Sequence, residues 1–208
     1  MTLNNINNTS SDLTVDNLSI NANTLSSVSG DLIVESDGTN EIIFNNGTSD
    51  LMIMSSDGEQ TLPLQPSFLA YANADVLNQT GSGTIVDVGF NTEVFDVGGN
   101  YASDVFTAPV DGKYLLTTTV SFYNITSSMD NGWIRIVTSN VNFQFSANFY
   151  NLATPTFEGS ISLSCICQME AADTASVKLR IQNGASNTAD LAGDATDLVT
   201  YFSGQLLS

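Results

Sequence analysis

The chain contains no histidine and only four lysines and arginines against 22 aspartates and glutamates, a formal net charge of −18 over 208 residues. Without histidine, this chain alone builds no Ser-His-Asp or Cys-His catalytic arrangement and no histidine-containing zinc site. Four cations neutralise few phosphates, so we expect no direct nucleic-acid binding. An anionic membrane surface would repel the chain, and no apolar stretch approaches the length of a membrane-spanning helix. Membrane insertion is therefore not expected.

Cysteine is nearly absent too, since the chain has only Cys165 and Cys167. Side chains two residues apart in a strand share a face but lie roughly 6 to 7 Å apart, too far for an unstrained disulfide. We expect reduced core residues, with a redox or metal-binding pair as the alternative. The first eleven residues lack the basic and apolar regions of a secretory signal, which predicts synthesis in a cytoplasm.

Hydrophobic residues make up 42% of the chain, enough for a core, and two regions differ in character. Residues 1–65 are rich in Asn, Ser, Thr, Asp and Gly, and their short apolar alternations indicate strands of three to five residues. Asp-Leu steps at Asp12, Asp31 and Asp50 repeat with a period of 19, which is typical of an elongated repeat array. Such thin strands bury too little surface alone, which favours three chains around a common axis; the alternative is a flexible linker.

Residues 66–208 have the size of one all-β domain. Apolar residues occupy the odd positions of 161–169 and again of 177–181, which predicts an antiparallel hairpin with one solvated face. Gly112 is expected in a left-handed turn before a central strand that begins at Tyr114. Gly204 indicates the close approach of a neighbouring strand or chain.

Two anchors in this region resemble the C1q-like domain of the C1q/tumour-necrosis-factor jelly-roll group. The first runs from Phe90 through Tyr101 to the stretch Phe106–Leu116, and the second is the closing segment Tyr201–Leu207; Phe68–Tyr71 suits the opening strand. The resemblance implies an all-β, ten-stranded jelly roll that forms a homotrimer through an apolar, aromatic-lined axis. Four aromatic residues are the expected trimer core: Phe143, Phe145, Tyr114 and Phe202.

The N-terminal repeats are similar to the β-structured shafts of bacteriophage fibre and spike proteins, those of marine phages among them. Residues 15–27 and 30–34 carry this resemblance. It implies a β-repeat stem over residues 1–65 that attaches to other virion proteins, and a jelly-roll head over residues 66–208 that projects from the virion surface.

Candidate site residues are few. The aspartates and glutamates fall mostly at turns. Because no histidine or strongly basic neighbour is expected beside them to adjust their pKa, no catalytic pair is predicted. Calcium needs hard oxygen ligands, and the resemblance implies calcium near the axis of some trimers, so it is the one cofactor considered. The alternative is that these are solvated loop carboxylates. The candidate ligands are Asp87, Asp96, Asp104 and Asp111, and the candidate receptor contacts are Tyr150 and Asn151.

These observations favour a non-enzymatic, homotrimeric phage virion protein, either a head fibre, a spike or a fibre tip, that recognises a glycan or protein on the host surface. The main alternative is a cement or decoration protein that stabilises the capsid. A secreted C1q-like ligand is a further alternative, although no collagen-like stem supports it. A polysaccharide depolymerase ranks last.

Overall fold

A computed structural model describes residues 40–153 and 158–208. Almost all regular structure in these residues is β, as the sequence predicts, and the described helix, α1 (Phe149–Leu152), has four residues. The first two copies of the 19-residue repeat, at Asp12 and Asp31, lie outside the described residues. The structure therefore tests the predicted stem only from residue 40 onward.

The third copy of the repeat lies in a small antiparallel sheet. Its strands are β1 (Ile42–Asn45), β2 (Asp50–Met54) and β3 (Gln60–Thr61), in the order β1-β2-β3. The first turn is closed by Asn46, whose side-chain oxygen accepts hydrogen bonds from the backbone N–H groups of Thr48 and Ser49 at 3.0 and 2.9 Å. We call this unit the N-terminal sheet.

The remaining strands form a two-sheet jelly roll. They are β4 (Ser67–Tyr71), β5 (Val76–Thr80), β6 (Ile85–Asp87), β7 (Thr92–Val97), β8 (Tyr101–Ala102), β9 (Val105–Thr107), β10 (Gly112–Tyr123), β11 (Asn131–Thr138), β12 (Asn142–Ala147), β13 (Gly159–Met169), β14 (Thr174–Gln182), β15 (Ala189–Leu191) and β16 (Tyr201–Leu206). Several strands have only two or three residues, so the described strands outnumber the ten that the resemblance implies.

The first sheet has the order β5-β15-β10-β16-β4-β7, with β13 paired to the other side of β10. The second sheet has the order β12-β11-β14-β9-β8, with β6 paired to β14. All pairings are antiparallel, and one apolar core, formed by residues from 68 to 202, lies between the two sheets. The strands β4 and β16, which hold the segments matched to the opening and closing strands, lie side by side.

The central strand β10 explains why this core forms. Its even-numbered side chains are buried and its odd-numbered ones are partly or fully exposed, the period of two that a strand requires. Tyr114, Leu116 and Val120 are fully buried within the chain, and Phe202 of the neighbouring strand is buried beside them. Burial of side chains of this size contributes about 1.5 to 3 kcal/mol each.

Two expectations about this domain are wrong. Strand β13 pairs with β10, whereas β14 pairs with β11, so the segments 161–169 and 177–181 lie in opposite sheets and do not form a hairpin. Gly112 does not have a left-handed backbone but begins β10. A side chain there would meet a methyl carbon of Leu206 at 2.5 Å and the backbone oxygen of Ser208 at 2.8 Å, so close packing requires the glycine.

Candidate functional site

The four aspartates proposed as calcium ligands are not brought together. Asp87 pairs with Lys178, and Asp111 accepts a hydrogen bond from the backbone N–H of Ala171 at 2.7 Å. Asp96 accepts from the N–H groups of Asn100 and Tyr101, at 3.0 and 2.9 Å, and Asp104 from that of Phe90 at 2.6 Å. Among residues 40–153 and 158–208, no three acidic or cysteine side chains are placed to share a metal ion.

These aspartates therefore close turns and pair locally within the chain, and they do not assemble one metal site there. Calcium at an axis shared by several chains stays a prediction. Its test is the melting temperature with and without a chelator, and an unchanged melting temperature would remove the idea.

The predicted receptor contacts Tyr150 and Asn151 both lie on α1, and both are exposed. The side chain of Asn148 caps this helix by accepting a hydrogen bond from the Asn151 N–H at 3.0 Å. Tyr150 is 40% exposed and borders an open depression of about 640 Å³ that Ile125 and Thr188 also line. The two side chains are accessible to a ligand, and their role as receptor contacts stays a prediction.

The expected trimer core divides into two pairs. Tyr114 and Phe202 are fully buried inside their own chain, so the expectation that they line a trimer axis is wrong. They lie on the inward faces of β10 and β16, where alternation turns them toward the second sheet. Phe143 packs against the edge of the core, and Phe145 on the edge strand β12 is 49% exposed. Only Phe145 presents a large surface for another chain.

An apolar surface that the sequence analysis missed covers the outer side of the first sheet. Leu69 lies opposite Phe95 in the pairing of β4 with β7, and Leu115 lies opposite Ile166 in the pairing of β10 with β13. Phe95 is 46% exposed and Ile166 is 60% exposed. Leu69, Phe95, Leu115 and Tyr201 line a shared depression of about 390 Å³. We call the five residues Leu69, Phe95, Leu115, Ile166 and Tyr201 the outer apolar face.

This face is not continuous, since on the intervening strand β16 Gln205 lies opposite Leu115 and Ser203 lies opposite Leu69, and its border is also polar. Beyond Leu115 and Ile166 the same two strands continue with Thr117 and Thr119, whose hydroxyls hydrogen-bond to Ser164 at 3.0 Å and Ser162 at 2.8 Å. An apolar patch with a polar margin is the usual composition of a protein–protein contact surface. The sequence signal was Leu115, an aliphatic residue on the side of β10 that otherwise carries Lys, Thr, Ser and, at its end, Tyr123.

A second depression, of about 500 Å³, opens at the other end of β10 and is bordered by Asp75, Glu158 and Asp194. The Tyr123 hydroxyl donates a hydrogen bond to Asp75 at 3.0 Å. Burial, this hydrogen bond and the neighbouring carboxylates raise the pKa of Tyr123 to about 12. The phenol therefore stays protonated at neutral pH and acts as a hydrogen-bond donor, which excludes it as a general base.

The two cysteines are free and buried on the inward face of β13, as predicted. A hydrogen bond with Cys167, together with burial, raises the pKa of the Cys165 thiol. The sulfur of Cys167 also approaches the backbone oxygen of Tyr114 at 3.8 Å. A buried thiol with a raised pKa is a weak nucleophile, which describes Cys165. The same hydrogen bond lowers the pKa of the Cys167 thiol, but that side chain is only 4% exposed, so little of it is accessible to a reactant.

No helix in the described ranges combines the length and the apolar composition needed to cross a bilayer. No protein-family profile matches the chain, and no curated protein matches it at a significant level.

Solved structures of two other proteins are similar to this chain. The globular domain of zebrafish complement 1qA protein has 16% sequence identity and a TM-score of 0.49, and the alignment covers 69% of this chain and 98% of that chain. The crystal structure of murine APRIL at pH 8.5 has 13% identity and a TM-score of 0.47, covering 69% and 99%. Murine APRIL at pH 5.0 has 14% identity, the same TM-score and the same coverage. At these identities the similarity concerns fold alone.

Proposed function

We propose that this chain is the subunit of a homotrimeric, non-enzymatic virion protein whose jelly-roll head recognises a surface outside the particle. The observation that carries the proposal is the outer apolar face of the first sheet. A monomer would leave Phe95, Ile166 and their neighbours in water, whereas a second copy that covers the face removes them from solvent.

The geometry of this sheet suits a ring of copies. Among residues 40–153 and 158–208, strand β13 has a partner on one side only, so within these residues the outer apolar face lies beside a free strand edge. If the edge of one copy packs on the face of the next, the contact joins two different surfaces, and such contacts close into a ring when the rotation allows. The sequence resemblance to C1q-like domains implies three copies.

The N-terminal sheet supports the same assembly. Ile43 and Ile53 share one face of it, whereas Phe44 and Met52 share the other. Ile43 and Phe44, on opposite faces, are each about half exposed. A three-stranded sheet that is apolar on both sides needs covering on both, and neighbouring copies in a three-chain stem supply it.

The virion location rests on the resemblance of residues 15–27 and 30–34 to phage fibre and spike proteins. In this account the chain is made in the host cytoplasm, the stem attaches to other virion proteins, and the head faces a glycan or protein of the host surface. In a head fibre, spike or fibre tip, the essential contact is with the host surface. In the alternative, a capsid cement protein, the essential contact is with the capsid.

Three measurements separate these functions: the location of the protein, the adsorption of phage, and the heat stability of capsids that lack the protein. Antibody labelling of the head, viewed by electron microscopy, locates the protein, and purified protein is added to host cells before the phage. Recognition predicts labelled projections and reduced adsorption. Unchanged adsorption, together with capsids that break at lower temperature when the gene is deleted, would replace recognition by the cement function.

A further inference from the structure

The outer side of the second sheet gathers most of the positive charge of an otherwise acidic molecule. Three of the four cations in the chain project there, Arg135 from β11 and Lys178 and Arg180 from β14. In the strand register Arg135 lies directly opposite Lys178, and Trp133 lies directly opposite Arg180. We call Trp133, Arg135, Lys178 and Arg180 the cationic face.

Concentrating these charges has an energetic cost. Like charges directly opposite each other on neighbouring strands destabilise a sheet. One carboxylate in the described part of this surface compensates them, that of Asp87, which is 2.5 Å from the Lys178 ammonium. The Asp87 side chain is 70% exposed, and a solvated pair of this kind contributes at most about 1 kcal/mol. This ion pair therefore offsets only part of the repulsion between the cations.

Each of the two arginines donates one hydrogen bond within the described residues, and in both cases the donor is Nε. The Nε of Arg135 donates to the side-chain oxygen of Gln144 at 2.6 Å, and its guanidinium carbon lies 3.9 Å from the centre of the Trp133 ring. The Nε of Arg180 donates to the backbone oxygen of Gly83 at 3.1 Å. No acceptor in residues 40–153 and 158–208 bonds to the terminal amino groups of either arginine. These groups form the donor fork that binds carboxylate, sulfate or phosphate.

Apart from Asp87, the strands β11, β12 and β14 surround the cations with neutral, hydrogen-bonding side chains on this side of the sheet. The strand pairings place Ser146 opposite Trp133 and Gln144 opposite Arg135, on the same side of the sheet. Gln144 donates from its amide to Ser146 at 2.7 Å, and Ser176 and Gln182 continue this side of β14. Amides and hydroxyls hydrogen-bond sugar hydroxyls, whereas the arginines bind acid groups.

We propose that the cationic face binds an acidic polysaccharide, one that carries carboxylate, sulfate or phosphate groups along a hydroxyl-rich chain. The net charge of −18 repels any long polyanion from the rest of the surface, which limits contact to the few acid groups that reach these three cations. Nucleic acid, with its dense and regular phosphates, fits this small face less well. The inference rests on the proposed function in that it names the ligand class the head recognises.

The test is binding of the purified full-length chain to immobilised dextran sulfate, with uncharged dextran as the reference surface. Arg135→Gln and Arg180→Gln each remove one charge and one donor fork. Lys113→Gln is the matched control, because it removes the fourth cation, which lies on the first sheet away from the cationic face. Lys113 is beside the outer apolar face, so the mass of this variant in solution is first shown to equal that of the wild type. We expect wild-type protein to bind dextran sulfate and not dextran, with weaker binding at higher salt. Each arginine variant should bind about tenfold more weakly, and the lysine variant as well as wild type.

Three results would contradict the proposal that the cationic face binds an acidic polysaccharide. Absence of wild-type binding, or equal weakening by Lys113→Gln, would overturn the proposal, since the second result assigns the effect to net charge. Tighter binding to a single-stranded oligonucleotide than to dextran sulfate would overturn the polysaccharide assignment. Arg135→Lys keeps the charge and loses the fork, so it should bind between wild type and Arg135→Gln, and the melting temperature of every variant checks folding.

The two proposals fail separately. If the protein is found on the particle, is trimeric and blocks adsorption but does not bind dextran sulfate, the proposed function stands and the cationic face is not its binding site. If the protein binds dextran sulfate through the two arginines but is monomeric and does not affect adsorption, the cationic face is a binding site and the proposed function is wrong.

Discussion

Gly204 lies where two side chains of the core leave no room for a third. A methyl group there would come within 2.6 Å of a ring carbon of Phe68 and within 2.7 Å of a methyl carbon of Leu116. Both neighbours are fully buried, so neither can move without displacing others. The close approach expected from the sequence is confirmed, and it involves side chains of the same chain.

Gly204→Ala should therefore destabilise the domain by about 1 to 3 kcal/mol, because overpacking forces shifts in a filled core. The measurement is the free energy of unfolding from denaturant titration. Ser203→Ala, one residue away and only half-buried, should change it by less than about 0.5 kcal/mol. Equal effects of the two substitutions would show that the close contact is absent.

Asp194 is the residue whose ionisation the structure perturbs most clearly in an exposed loop. The Thr196 hydroxyl, followed by the backbone N–H groups of Asp197 and Thr196, lowers the pKa of its carboxyl from 3.8 to about 2. Because the pKa of Asp194 is lower in the folded chain than in the unfolded chain, the ionised carboxylate stabilises the folded state above about pH 4. This stabilisation is lost as the pH falls toward 2.

Thr196→Ala should raise the pKa of Asp194 toward 3.8, since it removes the largest of these contributions and leaves the backbone donors. Carboxyl titration by NMR measures the shift directly. Thr126→Ala, in a different loop, serves as the control and should leave the titration unchanged. A pKa of Asp194 that is already near 3.8 in the wild type would contradict the hydrogen bonding described here.

At the level of elements, β10 could be predicted from sequence and the partner of β13 could not. Alternation in β10 identifies its buried side chains because period two is a local property. Alternation in β13 and β14 identified their inward faces equally well, but a turn between them is compatible with a hairpin or with a crossing between sheets. The cationic face could not be predicted for the same reason, because no pattern in either strand alone shows that Arg135 lies opposite Lys178.

The core residues fall between 68 and 202, so the N-terminal sheet adds no buried residue to the core of the jelly roll. A fragment of residues 66–208 should therefore fold alone and unfold cooperatively, as seen by near-ultraviolet circular dichroism and thermal melting. A fragment of residues 40–208 provides the comparison. A non-cooperative transition in the shorter fragment, with a cooperative one in the longer, would move the domain boundary toward the N-terminus.

At the scale of the whole molecule, the net charge of −18 constrains assembly. Each copy brings this charge to a trimer, and the first 112 residues of each contain no cation to offset it. Repulsion between copies extends about 30 Å at 0.01 M salt but only about 8 Å at 0.15 M. The trimer dissociation constant should therefore fall as sodium chloride is raised across this range, which sedimentation measures, whereas a rise would indicate that attraction between charges holds the copies together.

The central claim, that copies of this chain cover each other through the outer apolar face, is tested most directly by mass in solution. Sedimentation equilibrium at micromolar concentration and 0.15 M salt should give about three times the chain mass of 22.1 kDa. Ile166→Glu, on that face, should give monomers. Val141→Glu introduces the same charge at an exposed turn of the second sheet and should remain trimeric. A wild-type monomer, or a trimer that Ile166→Glu leaves intact, would contradict the account.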